Sequence, residues 1–138
     1  MSKNLNEAIL NKLLALTEQK TLKWKSIPSY LDENKNEPLR RYLIGAEKYY
    51  YAQGESNVPM MMEYRSYCAE FNSGLVLLFV YSESMSLSYE LAIQTDSSNL
   101  VEKLSENDKY QDALTNLISA IAASKNTTES FLNALLES

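Results

Sequence analysis

Tyr67-Cys68-Ala69-Glu70-Phe71-Asn72-Ser73-Gly74, running on into Leu75-Val76-Leu77-Leu78-Phe79-Val80-Tyr81, is the stretch that decides the fold. Its first part alternates, with Tyr67, Ala69 and Phe71 on one face and Ser66, Cys68 and Glu70 on the other, which is the period of a strand. Asn72-Ser73-Gly74 reads as a hairpin turn, with Gly74 available for a positive φ. Leu75 to Tyr81 is apolar on both faces and predicts a central strand, covered on both sides or only lightly exposed. Ser82 to Ser86 turns again. Leu87, Tyr89, Leu91 and Ile93 then alternate with Ser88, Glu90, Ala92 and Gln94 in a strand with one wet face, completing an antiparallel meander.

Outward from this meander the period changes. Upstream, Leu5, Ile9, Leu13 and Leu16 lie at helical spacing, widened by Leu10 and Leu14, and predict a helix to about Thr17 with Asn4 or Asn6 as its cap. Thr21 to Lys25 alternates as a half-buried strand that turns Trp24 inward between Lys23 and Lys25. Downstream of Thr95, Leu100, Val101 and Leu104 begin one helical stretch. Tyr110, Leu114, Leu117, Ile118 and Ile121 stripe a second, with Asp108 as its cap, and Asn126 to Glu129 has capping-box spacing ahead of Phe131, Leu132, Leu135 and Leu136. The predicted class is α+β: an N-terminal helix, an antiparallel sheet of about four strands, and two or three C-terminal helices packed on it.

The 138 residues predict a single domain able to bury a proper core. Residues 26–62 read as an insertion-like segment. Pro28, Pro38 and Pro59 punctuate it, Asp32 to Pro38 reads as a loop, and Gly54 to Pro59 as another. Leu39 to Tyr51 suits either a helix or a strand and is read as a short helix passing into extended chain.

Composition excludes more than it identifies. The chain has no histidine, one cysteine and three glycines. The Ser-His and Cys-His nucleophile pairs and the usual transition-metal sites are therefore missing from it, as is a Gly-rich phosphate loop. No cofactor is expected, and the protein is read as not an enzyme. Cys68, inside a strand, reads as a packed thiol. Asp108 with Asp112, and Glu102 with Glu106, sit one helical turn apart, the spacing of a solvated acidic face as well as of a magnesium site. The longest apolar run is far shorter than a membrane span, and no apolar signal core opens the chain, so a cytoplasmic protein is expected. Residues 1–69 carry ten Lys/Arg against eight Asp/Glu, residues 70–138 three against ten, within a net charge of −5. That balance disfavours nucleic acid, although Lys20, Lys23 and Lys25 stand beside Trp24.

The run Leu13-Leu14-Ala15-Leu16-Thr17-Glu18-Gln19-Lys20-Thr21-Leu22-Lys23-Trp24 resembles the opening of many short, uncharacterised bacterial and phage-borne proteins, in which a helix ends at a Thr and a strand begins with an inward Trp. Tyr67 to Gly74 and Tyr89 to Ile93 look like the matching meander strands. The resemblance covers about half the chain and leaves residues 26–62 outside its pattern. It carries no established activity and implies a mobile-element or defence-related setting.

The strongest functional lead is aromatic. Tyr42, Tyr49, Tyr50, Tyr51, Tyr64 and Tyr67 are six of the ten tyrosines. They interleave with Arg40, Arg41 and Arg65, the only arginines, and the triplet Met60-Met61-Met62 lies among them. Tyr and Arg combine large contact area with directional hydrogen bonds, and Met adapts to irregular surfaces. Arg40, Arg41, Tyr42, Tyr49, Tyr50, Tyr51, Met61, Tyr64 and Arg65 are accordingly the candidate contacts of a protein partner, as in an inhibitor, immunity or counter-defence protein. The rival reading gives the same arginines and tyrosines to a nucleotide-like small ligand. Leu132, Leu135 and Leu136 leave self-association open as well.

Overall fold

The computed structural model describes residues 7–53, 60–83, 86–104, 110–124, 132 and 134–137. In chain order it forms α1 (Glu7–Glu18), β1 (Trp24–Ser26), α2 (Ile27–Glu33), α3 (Glu37–Gln53), β2 (Met60–Met61), a 3-10 turn (Glu63–Arg65), β3 (Tyr67–Phe71), β4 (Gly74–Glu83), β5 (Ser86–Gln94), β6 (Glu102–Lys103) and α4 (Gln111–Ser124). The class is α+β, and the sheet is antiparallel, in the order β1-β3-β4-β5-β6, with β2 also pairing to β4. This sheet exceeds the four strands expected, because the two-residue strands β2 and β6 are too short to leave an alternating signature.

β4 is the axis of the molecule. Leu75 to Val80 are all buried, and the alternation of the strand sends them into two separate cores. On the first face Val76 and Leu78 meet Leu10 and Leu13 of α1, Trp24, Leu91, and Leu114, Leu117 and Ile121 of α4. On the second face Leu75, Leu77 and Phe79 meet Ile27 and Tyr30 of α2 and Leu39 and Leu43 of α3. Among the described residues, the helical cover of the second face thus comes from residues 26–62. Full burial of each Leu, Ile or Phe contributes roughly 1.5–3 kcal/mol, so stripping either layer would leave the sheet half bare.

The junctions explain why the elements start and stop where they do. The Thr17 hydroxyl donates to the Leu13 carbonyl at 2.7 Å and accepts from the Trp24 indole at 3.0 Å, which joins the end of α1 to the inward Trp of β1. Lys20 takes the left-handed conformation (φ 60°) just past the helix, and the Thr21 amide closes back on Leu16. Ser26 caps α2 by accepting from the Ser29 amide, and Pro28 sits in its first turn. Asn36 does the same for α3 by accepting from the Leu39 amide.

The structure also corrects several expectations. Leu39 to Tyr51 is helical throughout, inside α3, and the expected Asp32–Pro38 loop shrinks to residues 34–36, because Asp32 and Glu33 end α2 and Glu37 and Pro38 begin α3. The proline-punctuated sequence hides both because Pro28 and Pro38 fall in first helical turns, where proline is tolerated. Leu100 to Leu104 contains β6 in place of a helix. In the β3–β4 hairpin the positive φ belongs to Asn72, at 54°. Gly74 is needed for room: a Cβ there would lie 2.1 Å from the Gln94 carbonyl oxygen. The expected caps Asn4, Asn6, Asp108 and Asn126, the Gly54–Pro59 loop and Phe131 lie outside the described residues. Leu132, Leu135 and Leu136 are helical and exposed.

Candidate functional site

The residues singled out by sequence fall into three environments along α3, β2 and the 3-10 turn. Tyr42, on the inner side of α3, is half-buried, and its ring stacks on Phe79 at 5.1 Å between centroids. Met61, opposite Tyr81 in the β2–β4 ladder, packs against the same second-face core. These two belong to the framework. Arg40 is exposed, but its guanidinium donates to the Leu31 carbonyl at 3.0 Å, tying α3 to the end of α2.

The outward group is different. Arg41 stands exposed on the outer side of α3 beside the exposed Ile44, and Tyr64 and Arg65 stand exposed on the 3-10 turn. Tyr64 is 85% exposed, the highest value of any large apolar or aromatic side chain among the described residues. Neither Arg41 nor Arg65 enters an ion pair with a described residue. α3 packs against β2, and α2 packs against the 3-10 turn, so both exposed segments rest on the same helical layer. Tyr49, Tyr50 and Tyr51 continue α3, and their side chains lie outside the described residues. Tyr67 turns to the other side of the sheet and packs on the first-face core.

Beneath this surface lies a polar cluster that the sequence did not reveal. Glu90, on β5, has only 12% of its side chain exposed, and one carboxylate oxygen accepts from the Tyr42 hydroxyl at 2.5 Å and the Tyr81 hydroxyl at 3.3 Å. The other oxygen faces the Lys103 ammonium of β6 at 3.2 Å. A carboxylate buried this far needs such compensation. Burial holds the Tyr42 hydroxyl far above its ordinary range, with the bond to Glu90 adding to the effect. Burial and then the Glu90 charge raise Tyr81 likewise. Both phenols therefore stay protonated as donors, and the cluster ties α3, β4, β5 and β6 into one unit.

A second network lies along the same face. Asn36 and Gln94 exchange amide hydrogen bonds at 2.7 and 2.9 Å, Asn36 also donates to the Tyr30 hydroxyl, and Gln94 donates to the Asn99 carbonyl. Glu90, Ala92 and Gln94 had the look of the wet side of a strand, yet all three are buried. Sequence reasoning missed them because a strand's polar alternation looks the same whether water or a second helical layer covers it. The one available signal was the regular second-position spacing of Glu90 and Gln94 around a small Ala92.

Cys68 is 1% exposed, and burial pushes its thiol up to about 12, with Glu70 adding to it, so it is the packed thiol expected. Among the described residues no group of three His, Cys, Asp or Glu side chains is placed to hold a metal ion, and no helix is long and apolar enough to cross a membrane.

The chain matches no protein-family model, no curated protein and no solved structure.

Proposed function

We propose that this protein is a non-catalytic binding module that occupies a protein partner through the outward surface of α3 and the 3-10 turn, with Arg41, Tyr64 and Arg65 as its central contacts. The observation that carries this reading is Tyr64: a tyrosine 85% exposed, next to an exposed arginine, contributes little to the fold. Tyr and Arg in that position are the residue types that dominate binding energy at protein interfaces. Tyr42, Met61 and Arg40 support the surface from below by fixing α3 and β2.

The resemblance of Leu13 to Trp24 to phage-borne and bacterial openings supports an inhibitor, immunity or counter-defence role, exercised in the cytoplasm. The test is affinity capture of the tagged protein from lysate of its host, with mass spectrometry of co-eluting proteins and small molecules. A stoichiometric protein partner is expected. A co-eluting nucleotide or metabolite without a protein overturns the reading in favour of a small-ligand module.

A further inference from the structure

The two edges of the sheet are protected differently. β1 is three residues long and turns the exposed Lys25 outward, a short charged edge that resists pairing. β5 is nine residues long, and among the described residues β6 pairs with it at Ala92 and Ile93. The Leu104 amide adds one bond to the Leu91 carbonyl.

The direction of the remaining β5 backbone groups follows from β4. Val80 receives the Met62 amide on its carbonyl and sends its own amide to the Ser66 hydroxyl, so both its groups face away from β5. Val80 and its partner Tyr89 are therefore a pair without mutual hydrogen bonds, and alternation extends this to Leu87 opposite Ser82. Tyr89 and Leu87 both aim N–H and C=O away from β4, beyond the stretch that β6 covers among the described residues. At Tyr89 the gap is filled by one side chain from the start of α4: the Gln111 carboxamide accepts from the Tyr89 amide at 2.8 Å and donates to the Tyr89 carbonyl at 2.9 Å. A single carboxamide thus reproduces the two bonds that a neighbouring strand residue would make. No described residue does this for Leu87, whose apolar side chain is 40% exposed.

We propose that Gln111 guards this edge against antiparallel pairing with the β5 of a second copy. The edge is self-complementary: a two-fold axis at Ser88 sets Leu87 of each copy opposite Tyr89 of the other, with all four sets of outward N–H and C=O groups aligned. The Leu87 and Tyr89 side chains then meet on one face as a cross-strand apolar–aromatic pair. With Gln111 in place, the Tyr89 half of each pairing is already taken.

The test is sedimentation velocity of Gln111→Met, which keeps the length of the side chain and removes its amide. At a concentration where the wild-type protein gives its own mass, the variant is expected to give twice that mass. Adding Leu87→Pro, which deletes an edge-facing N–H without touching a β4 bond, should restore the wild-type value. A Gln111→Met protein that sediments as the wild type does overturns the proposal, as does a doubled mass that Leu87→Pro leaves in place. Should Met perturb folding, Gln111→Ser repeats the test, since serine suits a helix start and is too short to reach Tyr89.

Discussion

Asn36 and Gln94, 58 residues apart, hold each other by two reciprocal amide hydrogen bonds of 2.7 and 2.9 Å with both side chains almost wholly buried. Asn36 simultaneously caps α3 through the Leu39 amide, so the start of that helix and the end of β5 are fixed by the same carboxamide. Asn36→Ala removes the cap and leaves the buried Gln94 Oε1 without its donor. The expected loss is about 2–4 kcal/mol, a cap of ~1 plus an unsatisfied buried group of ~1–3. Chemical denaturation of Asn36→Ala, Gln94→Ala and the double variant checks it: the double variant should cost clearly less than the two singles together.

At Tyr42 the ring and the hydroxyl have separable roles. Tyr42→Phe keeps the stack on Phe79 and deletes one donor to Glu90, which retains Tyr81 and Lys103. A loss of about 1.5–3 kcal/mol is expected, the range for a hydrogen bond to a charged group, towards its lower end because the other partners of Glu90 remain. Tyr42→Ala should cost more, since it also empties the contact with Phe79. Urea melts in which Phe and Ala at this position are equally stable would contradict the assignment.

Backbone conformation at Lys20 and Gly74 inverts what residue type suggests. Lys20 occupies a left-handed position that favours glycine, so Lys20→Gly should stabilise by ~0.5–1 kcal/mol. Gly74→Ala forces a Cβ onto the Gln94 carbonyl and should destabilise by ~2–3 kcal/mol. Thermal melts of the two variants, moving in opposite directions, check both.

Alkaline pH should unfold the protein early. Burial raises Tyr42 and Tyr81, and pushes Cys68 up from 9.0 to about 12. Between pH 9 and about 12 the unfolded chain sheds the Cys68 proton that the folded chain keeps. The unfolded state then binds fewer protons, and stability falls as pH rises, by up to ~1.4 kcal/mol per pH unit for this thiol alone. The two phenols add to the slope in the same direction above their ordinary range. Below about pH 8 these groups leave stability flat. Denaturation midpoints from pH 7 to 11 give the slope directly, and Cys68→Ala should reduce it from its lower end.

The meander was legible because period-2 alternation and a turn of Asn72-Ser73-Gly74 leave few alternatives, and the seven-residue apolar run at Leu75 had to be covered twice. The inward Trp24 between the exposed Lys23 and Lys25 was legible from the same alternation, although the strand itself begins at Trp24 and not at Thr21. The second helical layer was not, because Pro28 and Pro38 mark both loops and helix starts, and Asn36 and Gln94 look polar until they find each other across 58 residues. Of the candidate contacts, Arg41, Tyr64 and Arg65 are exposed, whereas Tyr42 and Met61 are framework. Composition could not separate these groups, since a tyrosine reads the same whether its ring packs on Phe79 or stands in water.

The most direct test of the proposed surface is a binding titration of the captured partner against wild type and the Arg41→Ala/Tyr64→Ala/Arg65→Ala variant, with melting temperatures measured in parallel. Because all three side chains are exposed and unneeded by either core, the melting temperature should stay within a degree or two while affinity drops at least tenfold, about 1.4 kcal/mol or more. Undiminished affinity for the partner in that folded variant would contradict the account.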